Sequence, residues 1–296
     1  MDNKANNKMI YERPNTINEA VEILSKSQNK KTILAGGTDL LVQLRSGFNR
    51  PDHIIDIKNI PETIKIKDAG NSFLVGAAVS GAQLNEHIEL KKAWPGVVEA
   101  MDLIGSTQIQ GRATLGGNLC NGSPAADSVP AMIAASASCI IVGPNGQREE
   151  IIENIITAPG KTSLANNEFV VSIRLAKAKK GRGDSYLRFI PRTEMDIAVV
   201  GAAVCITIDN AGLCTSAKVA LGAVAPKQVI VEAAQEIIHG TALDDNTLEK
   251  LSAAASAACD PIDDKRGTVE YRTSVAGVLT KRAARIAYDR AGKCKQ

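Results

Sequence analysis

The patterning of this chain changes character once, and that change limits the folds open to it. Before residue 177, short apolar stretches with strand patterning alternate with helix-patterned segments. After residue 184, two long apolar stretches, Ile197–Ile208 and Leu213–Val224, are followed only by helical patterns. Strands followed by helices predict an α+β domain there. The run Lys177-Ala178-Lys179-Lys180-Gly181-Arg182-Gly183-Asp184 separates the two halves and reads as a solvated linker. A length of 296 residues fits about two domains. The expected boundaries are 1–176 and 184–291.

In the first half, Thr16–Ser27 is a predicted helix, with Thr16 and Glu19 at capping-box spacing. Strands are predicted at Lys31–Ala35, Ile54–Ile57, Cys139–Val142 and Glu168–Leu175, and a hairpin joins Ile64–Lys67 to Phe73–Val75. Helices are predicted at Gln83–Leu90, Gly96–Ile104 and Asp127–Ser138. In the second half, helices are predicted at Val229–His239, Leu243–Ala258 and Glu270–Ala291.

Composition removes several functions. The net charge is only +3, aromatics make up 3%, and no basic cluster is interleaved with them, which excludes a nucleic-acid platform. The six cysteines form no CxxC pair and lie apart from the three histidines, so no zinc or iron–sulfur site is expected on this chain. No apolar run approaches about 18 residues, and no hydrophobic leader follows Met1. A cytoplasmic chain with reduced thiols and no membrane span is the expectation.

Several familiar motifs fail on inspection. Gly160-Lys161-Thr162 resembles the end of a P-loop, but the glycine required five positions earlier is Ile155. Arg182-Gly183-Asp184 and the sequon at Asn121 need an extracellular setting. No GxGxxG occurs, and the histidines sit in no nucleophilic triad, so no catalytic acid, base or nucleophile is named.

Two segments remain: Ala35-Gly36-Gly37-Thr38-Asp39-Leu40-Leu41, directly after the predicted strand that contains Leu34, and Thr114-Leu115-Gly116-Gly117-Asn118, continuing through Asn121 and Ser123 to Asp127. Paired glycines let backbone N–H groups approach an anion closely. Thr38, Asn118, Asn121 and Ser123 add neutral hydrogen-bonding groups. Either segment alone reads first as a glycine-rich turn at a strand end; together they favour a phosphate-bearing ligand.

As a set, AGGTDLL (35–41) and ATLGGNLCNGSPAAD (113–127) resemble the FAD-binding medium subunit of the molybdenum hydroxylases. The likeness extends through 108–112, 158–164, 186–198 and the tail at 271–275, nearly the whole chain. Two of these segments, 117–127 and 158–164, look most like xanthine dehydrogenase flavin subunits. The resemblance implies an FAD-binding region of two α/β subdomains of the PCMH (vanillyl-alcohol-oxidase-like) type, about 1–60 and 61–176, then a smaller α+β domain.

The resemblance also implies site roles. Ala35 to Leu40 would wrap the FAD pyrophosphate and nearby ribose, Gly116, Gly117 and Asn118 would complete the cradle, and Leu34 and Thr114 count among the cofactor-binding residues. Asn121, Ser123 and Asp127 match polar positions along the cofactor, although Asp127 equally suits the N-cap of the helix starting at Ser128. Leu164 matches an apolar position near the flavin. Arg188 matches a basic position near the isoalloxazine, usually Lys, and reads equally as an exposed strand arginine. Arg192 and Asp196 suit a structural pair, and Gly111 stands where relatives often carry Asn.

In such enzymes, substrate is oxidised at a molybdenum cofactor on a large subunit. Electrons pass through two [2Fe–2S] clusters on a small subunit to non-covalent FAD, then to NAD⁺ in dehydrogenases or to another acceptor. A heterotrimer, often doubled, is therefore implied. Xanthine or a related N-heterocycle is the leading substrate class. Carbon monoxide, an aldehyde or nicotinate is the alternative, and a scaffold that has lost its cofactor is a third reading.

Overall fold

Three parallel strands open the fold. The computed structural model describes residues 9–26, 29–177 and 179–294. Met1–Lys4, inspected for a leader, lie outside the described residues, as do Ser27 of the first predicted helix and Ala178 of the predicted linker. β1 (Ile10–Glu12), α1 (Ile17–Ser25), β2 (Lys31–Leu34), α2 (Leu40–Ser46) and β3 (His53–Asp56) follow in order. The strands pair as β1-β3-β2, so β2 is an edge strand. Thr16 caps α1 by accepting from the Glu19 N–H, as its spacing predicts, while the Glu19 carboxylate reaches back to the Asn15 N–H rather than that of Thr16.

The next region is a five-stranded antiparallel sheet, covered by helices. It contains β4 (Ile66–Asp68), β5 (Ser72–Gly76), α3 (Gly81–Glu86), α4 (Ile88–Ala93), α5 (Pro95–Asp102), α6 (Thr107–Gln110), α7 (Leu115–Cys120) and α8 (Ser128–Ala134). β6 (Ser138–Gly143), β7 (Gly146–Ile151), the small hairpin β8 (Ile156–Ala158)–β9 (Lys161–Thr162), and β10 (Phe169–Ala176) complete it. The sheet order is β4-β5-β10-β6-β7. The helix predicted over Gln83–Leu90 is broken at His87, whose ring nitrogen accepts from the Leu90 N–H and starts a new helix. Gly116 and Gly117, expected in an irregular stretch, lie inside α7. Thr114 caps that helix, and a Cβ on Gly116 would lie 2.7 Å from the Ala77 Cβ, so only glycine lets α7 approach this closely.

β11 (Arg182–Phe189), β12 (Val200–Ile208), β13 (Cys214–Gly222) and β14 (Val229–Ile230) form an antiparallel sheet in chain order. α9 (Ala234–Ile238), α10 (Asp245–Ala257) and α11 (Val269–Lys293) follow. Two expectations are corrected. Arg182–Asp184 is strand rather than solvated linker, and Asp184 is buried. The helix predicted over Val229–His239 divides into β14 and the short α9.

This last sheet is buried on both faces, which explains its uninterrupted apolar runs. Val200, Ala202, Val204 and Ile206 pack with α10 and α11, whereas Tyr186, Ala203 and Ala220 join the core that includes α5 and α8. Ala203 and Ala220 at the second contact are small because the backbones approach closely. A Cβ on Gly96 would lie 2.6 Å from the Asp184 carboxylate, and one on Gly222 would lie 2.9 Å from Pro130.

Candidate functional site

A cleft of about 1230 Å³ lies between edge strand β2 and the start of β10, and both glycine segments line it. That exceeds the roughly 300–1,000 Å³ of most small-molecule pockets and is suited to a dinucleotide. β2 delivers the chain into the cleft at Ala35, and Gly37 turns it with φ +82° into α2. Among the described residues, the N–H groups of Gly36, Gly37, Thr38, Asp39 and Leu40 have no hydrogen-bond partner. Five successive free donors beside a cleft fit an anionic ligand with several oxygens. Asp39 is the one acidic side chain among them, and burial raises its carboxyl above the ordinary value.

The second segment meets the first directly. Gly36 lies so close to the Arg112 carbonyl that a Cβ there would fall 2.0 Å from the oxygen. Thr114, buried, accepts from the Gly117 N–H at 2.9 Å. The Asn118 side-chain oxygen accepts from the Ser128 hydroxyl at 2.7 Å and the Ser128 N–H at 3.2 Å, which leaves its amide nitrogen to donate elsewhere. Gln43 on α2 donates to the Asn121 side chain at 3.0 Å, tying the two segments together across the cleft.

Twelve of the sixteen expected cofactor residues line this cleft: Ala35, Gly36, Gly37, Thr38, Asp39, Leu40, Thr114, Gly116, Gly117, Asn118, Asn121 and Leu164. Leu34, Ser123, Asp127 and Arg188 do not. Leu34 sits at the end of β2, with its side chain against Gly37. Ser123 is occupied locally: its hydroxyl accepts from the Ala125 N–H and its carbonyl accepts from Gln228.

Asp127 and Arg188 are brought together instead. Arg188 donates to the Asp127 carboxylate at 3.0 Å, and the Tyr186 hydroxyl donates to it at 2.7 Å. The Arg188 side chain is only 3% exposed, so it is not an exposed strand arginine. Asp127 occupies the N-cap position of α8 but makes no side-chain cap bond. Burial raises its carboxyl, against the opposing pull of Arg188 and Tyr186. Arg192 and Asp196 do pair, at 3.9 Å on the surface.

The cleft also contains residues that sequence reasoning missed. Gln43 lies one helical turn beyond Asp39, a spacing that points to the same face. Asn166, Asn167 and Glu168 had no such signal. Their loop is set by an Arg148 fork on Glu168, two bonds of 2.8 Å made possible by β6, β7 and β10 pairing. That fork, with the Ala165 N–H, holds the Glu168 carboxyl down at about 2. Gly160 and Thr162 line the cleft as well, although Gly160-Lys161-Thr162 forms a hairpin turn and not a phosphate loop.

The fold and this cleft define a cofactor-binding subunit, and comparison with known proteins agrees. Residues 5–177 match the FAD binding domain in molybdopterin dehydrogenase, and residues 185–287 match the CO dehydrogenase flavoprotein C-terminal domain. The chain belongs to the FAD-binding medium subunits of the molybdenum hydroxylase family. It is 31% identical to the carbon monoxide dehydrogenase medium chain of Hydrogenophaga pseudoflava, over 95% of this chain and 97% of that one. It is 32% identical to the xanthine dehydrogenase FAD-binding subunit of Escherichia coli O157:H7, with the same coverage. The crystal structure of the H. pseudoflava carbon monoxide dehydrogenase lacking the Mo-pyranopterin moiety superposes with a TM-score of 0.91 at 32% identity, over 95% of this chain and 98% of that one. The chain is thus an FAD-binding oxidoreductase subunit. No helix among the described residues is long and apolar enough to cross a membrane.

Proposed function

We propose that this chain is the flavin subunit through which a xanthine- or purine-oxidising molybdenum hydroxylase passes electrons to NAD⁺. On this reading a large partner holds the molybdenum cofactor, a small partner holds two [2Fe–2S] clusters, and the chain functions within their heterotrimer. Bound FAD supplies the redox chemistry.

The observation that carries the reading is the row of free N–H groups from Gly36 to Leu40 beside a cleft of dinucleotide size. Those groups bind the pyrophosphate, and Thr114, Gly116, Gly117 and Asn118 close the cradle from the other side. Leu164 supplies apolar cover. Asp127 and Arg188 act at one remove, fixing α8 against β11. The FAD-binding region is assigned to 1–176 and the smaller domain to 184–291.

The likeness of 117–127 and 158–164 to xanthine dehydrogenase flavin subunits supports the substrate class. Comparable identity to a carbon monoxide dehydrogenase medium chain favours a second reading in which the holoenzyme oxidises carbon monoxide. An absorption spectrum of the FAD-loaded chain, followed by anaerobic NADH, tests the proposal. Bleached flavin bands support NAD⁺ as acceptor, and unbleached bands reject it. A Gly117→Val chain that folds and keeps its flavin would remove the cradle assignment.

A further inference from the structure

We propose that Lys58 is the positioning residue of the cofactor cradle, its ammonium group holding the Ala35 carbonyl so that the Gly36 N–H faces the pyrophosphate. The inference rests on FAD lying in this cleft. Asp56 ends the central strand β3, and its side chain is only 4% exposed. It accepts from the Tyr11 hydroxyl at 2.5 Å and from the Lys58 backbone N–H at 3.0 Å. The Lys58 ammonium lies 2.7 Å from the same carboxylate, and the Arg13 guanidinium lies 3.7 Å away. A carboxylate this buried needs a close cation, and meeting that need holds the lysine in place. The same ammonium group then donates to the Ala35 carbonyl oxygen at 2.9 Å.

The consequence follows from covalent geometry. The Ala35 carbonyl and the Gly36 N–H belong to one trans peptide plane, in which they point in opposite directions. Holding the carbonyl therefore aims the N–H. That N–H has no partner among the described residues, and both Ala35 and Gly36 line the cleft. Two successive glycines leave this stretch of backbone unusually free to rotate. Released from Lys58, the peptide can flip and turn a carbonyl oxygen toward an anionic ligand. Neither Asp56 nor Lys58 lines the cleft, so both act through Ala35.

The test uses the full-length chain. Flavin-fluorescence titration gives the FAD affinity, and ³¹P NMR of bound FAD reports the pyrophosphate surroundings. Lys58→Met should weaken FAD binding about 10- to 100-fold, the value of aligning one bond to a charged group, and displace the ³¹P resonances. Lys58→Met also takes the nearest cation from Asp56, leaving Arg13 at 3.7 Å, so Asp56→Asn/Lys58→Met is the companion variant. It removes the carboxylate charge but leaves Ala35 unheld, and it should bind FAD as weakly. Recovery of affinity in that double variant would reduce Lys58 to a counter-ion and overturn the proposal. Weakened binding with unmoved ³¹P resonances would overturn it as well. Flavin retained by folded Gly117→Val would reject the cleft reading itself. Flavin lost there but bound normally by Lys58→Met would reject the Lys58 inference alone.

Discussion

Replacing Gly36 with alanine perturbs the cradle at its tightest point. The added Cβ would sit 2.0 Å from the Arg112 carbonyl oxygen, 2.8 Å from its carbonyl carbon and 3.3 Å from the Ala113 Cα. Ordinary contact begins near 3.4 Å, so the two glycine segments must part by about 1.4 Å, and every obstacle is backbone. A shift of that size stretches a cradle hydrogen bond from about 2.9 Å to well beyond 3.5 Å, where it is lost. Each bond to a charged oxygen contributes about 1.5–3 kcal/mol. Losing two weakens FAD binding by about 3–6 kcal/mol, or roughly 10²- to 10⁴-fold. The overpacking itself costs about 1–3 kcal/mol of stability, which a typical domain survives. Gly111→Ala is the matched control. Its φ is −63°, and its nearest neighbour would be the Gln108 carbonyl at an ordinary 3.5 Å. Flavin-fluorescence titration reads the affinity, with circular dichroism to establish folding. A folded Gly36→Ala chain that binds FAD within about threefold of the unaltered one would refute this account of the cradle.

Two further predictions concern the contact between the halves. Burial pushes the Asp184 carboxyl up to about 7, although the Gly96 N–H donates to it at 2.9 Å and Arg290 is near. Its folded pKa lies above the unfolded value of about 3.9, so the native state holds the proton more tightly and stability falls as pH rises from about 4 through about 7. That loss amounts to about 4 kcal/mol. Asp184→Asn should remove it, so urea unfolding at about pH 8 should find the variant more stable than the parent by an amount absent near pH 4; a pH-independent difference would contradict the assignment. Arg188→Met leaves the Asp127 carboxylate buried without its cation and should cost about 3–5 kcal/mol. Asp127→Asn/Arg188→Met should recover much of that, and a loss below about 1 kcal/mol for Arg188→Met would place the pair outside the energetics of the fold.

Much of the cleft was legible because its residues are contiguous. Gly36–Leu40 and Thr114–Asn118 each carry their backbone conformation in a few consecutive side chains, and twelve of the expected contacts line one cleft. Asp127 and Arg188 were harder to place: they are 61 residues apart, and only the packing of α8 on β11 makes them partners. The linker reading of Arg182–Asp184 failed for a related reason. A short basic, glycine-containing run looks solvated, but pairing with β12 draws it into a sheet, where Arg182 stacks 3.7 Å over the Trp94 ring. The helix expected over Val229–His239 lost its first residues to the edge of that sheet, where Val229 and Ile230 pair with Leu221 and Ala220.

The sequence by itself determined what depends on neighbours along the chain. It set the capped start of α1 at Thr16, the alternation before residue 177, the strand-rich then helical second half, and the two glycine segments that line the cleft. Tertiary structure alone decided which distant groups meet: Gly36 against Arg112, Arg148 on Glu168, Lys58 reaching Ala35, and the helices that bury both faces of the last sheet. Local conformation follows from backbone sterics and side-chain caps within a few residues. Long-range contacts form only once chain closure brings remote apolar surfaces together, and their free energy has no signature in any short stretch of sequence.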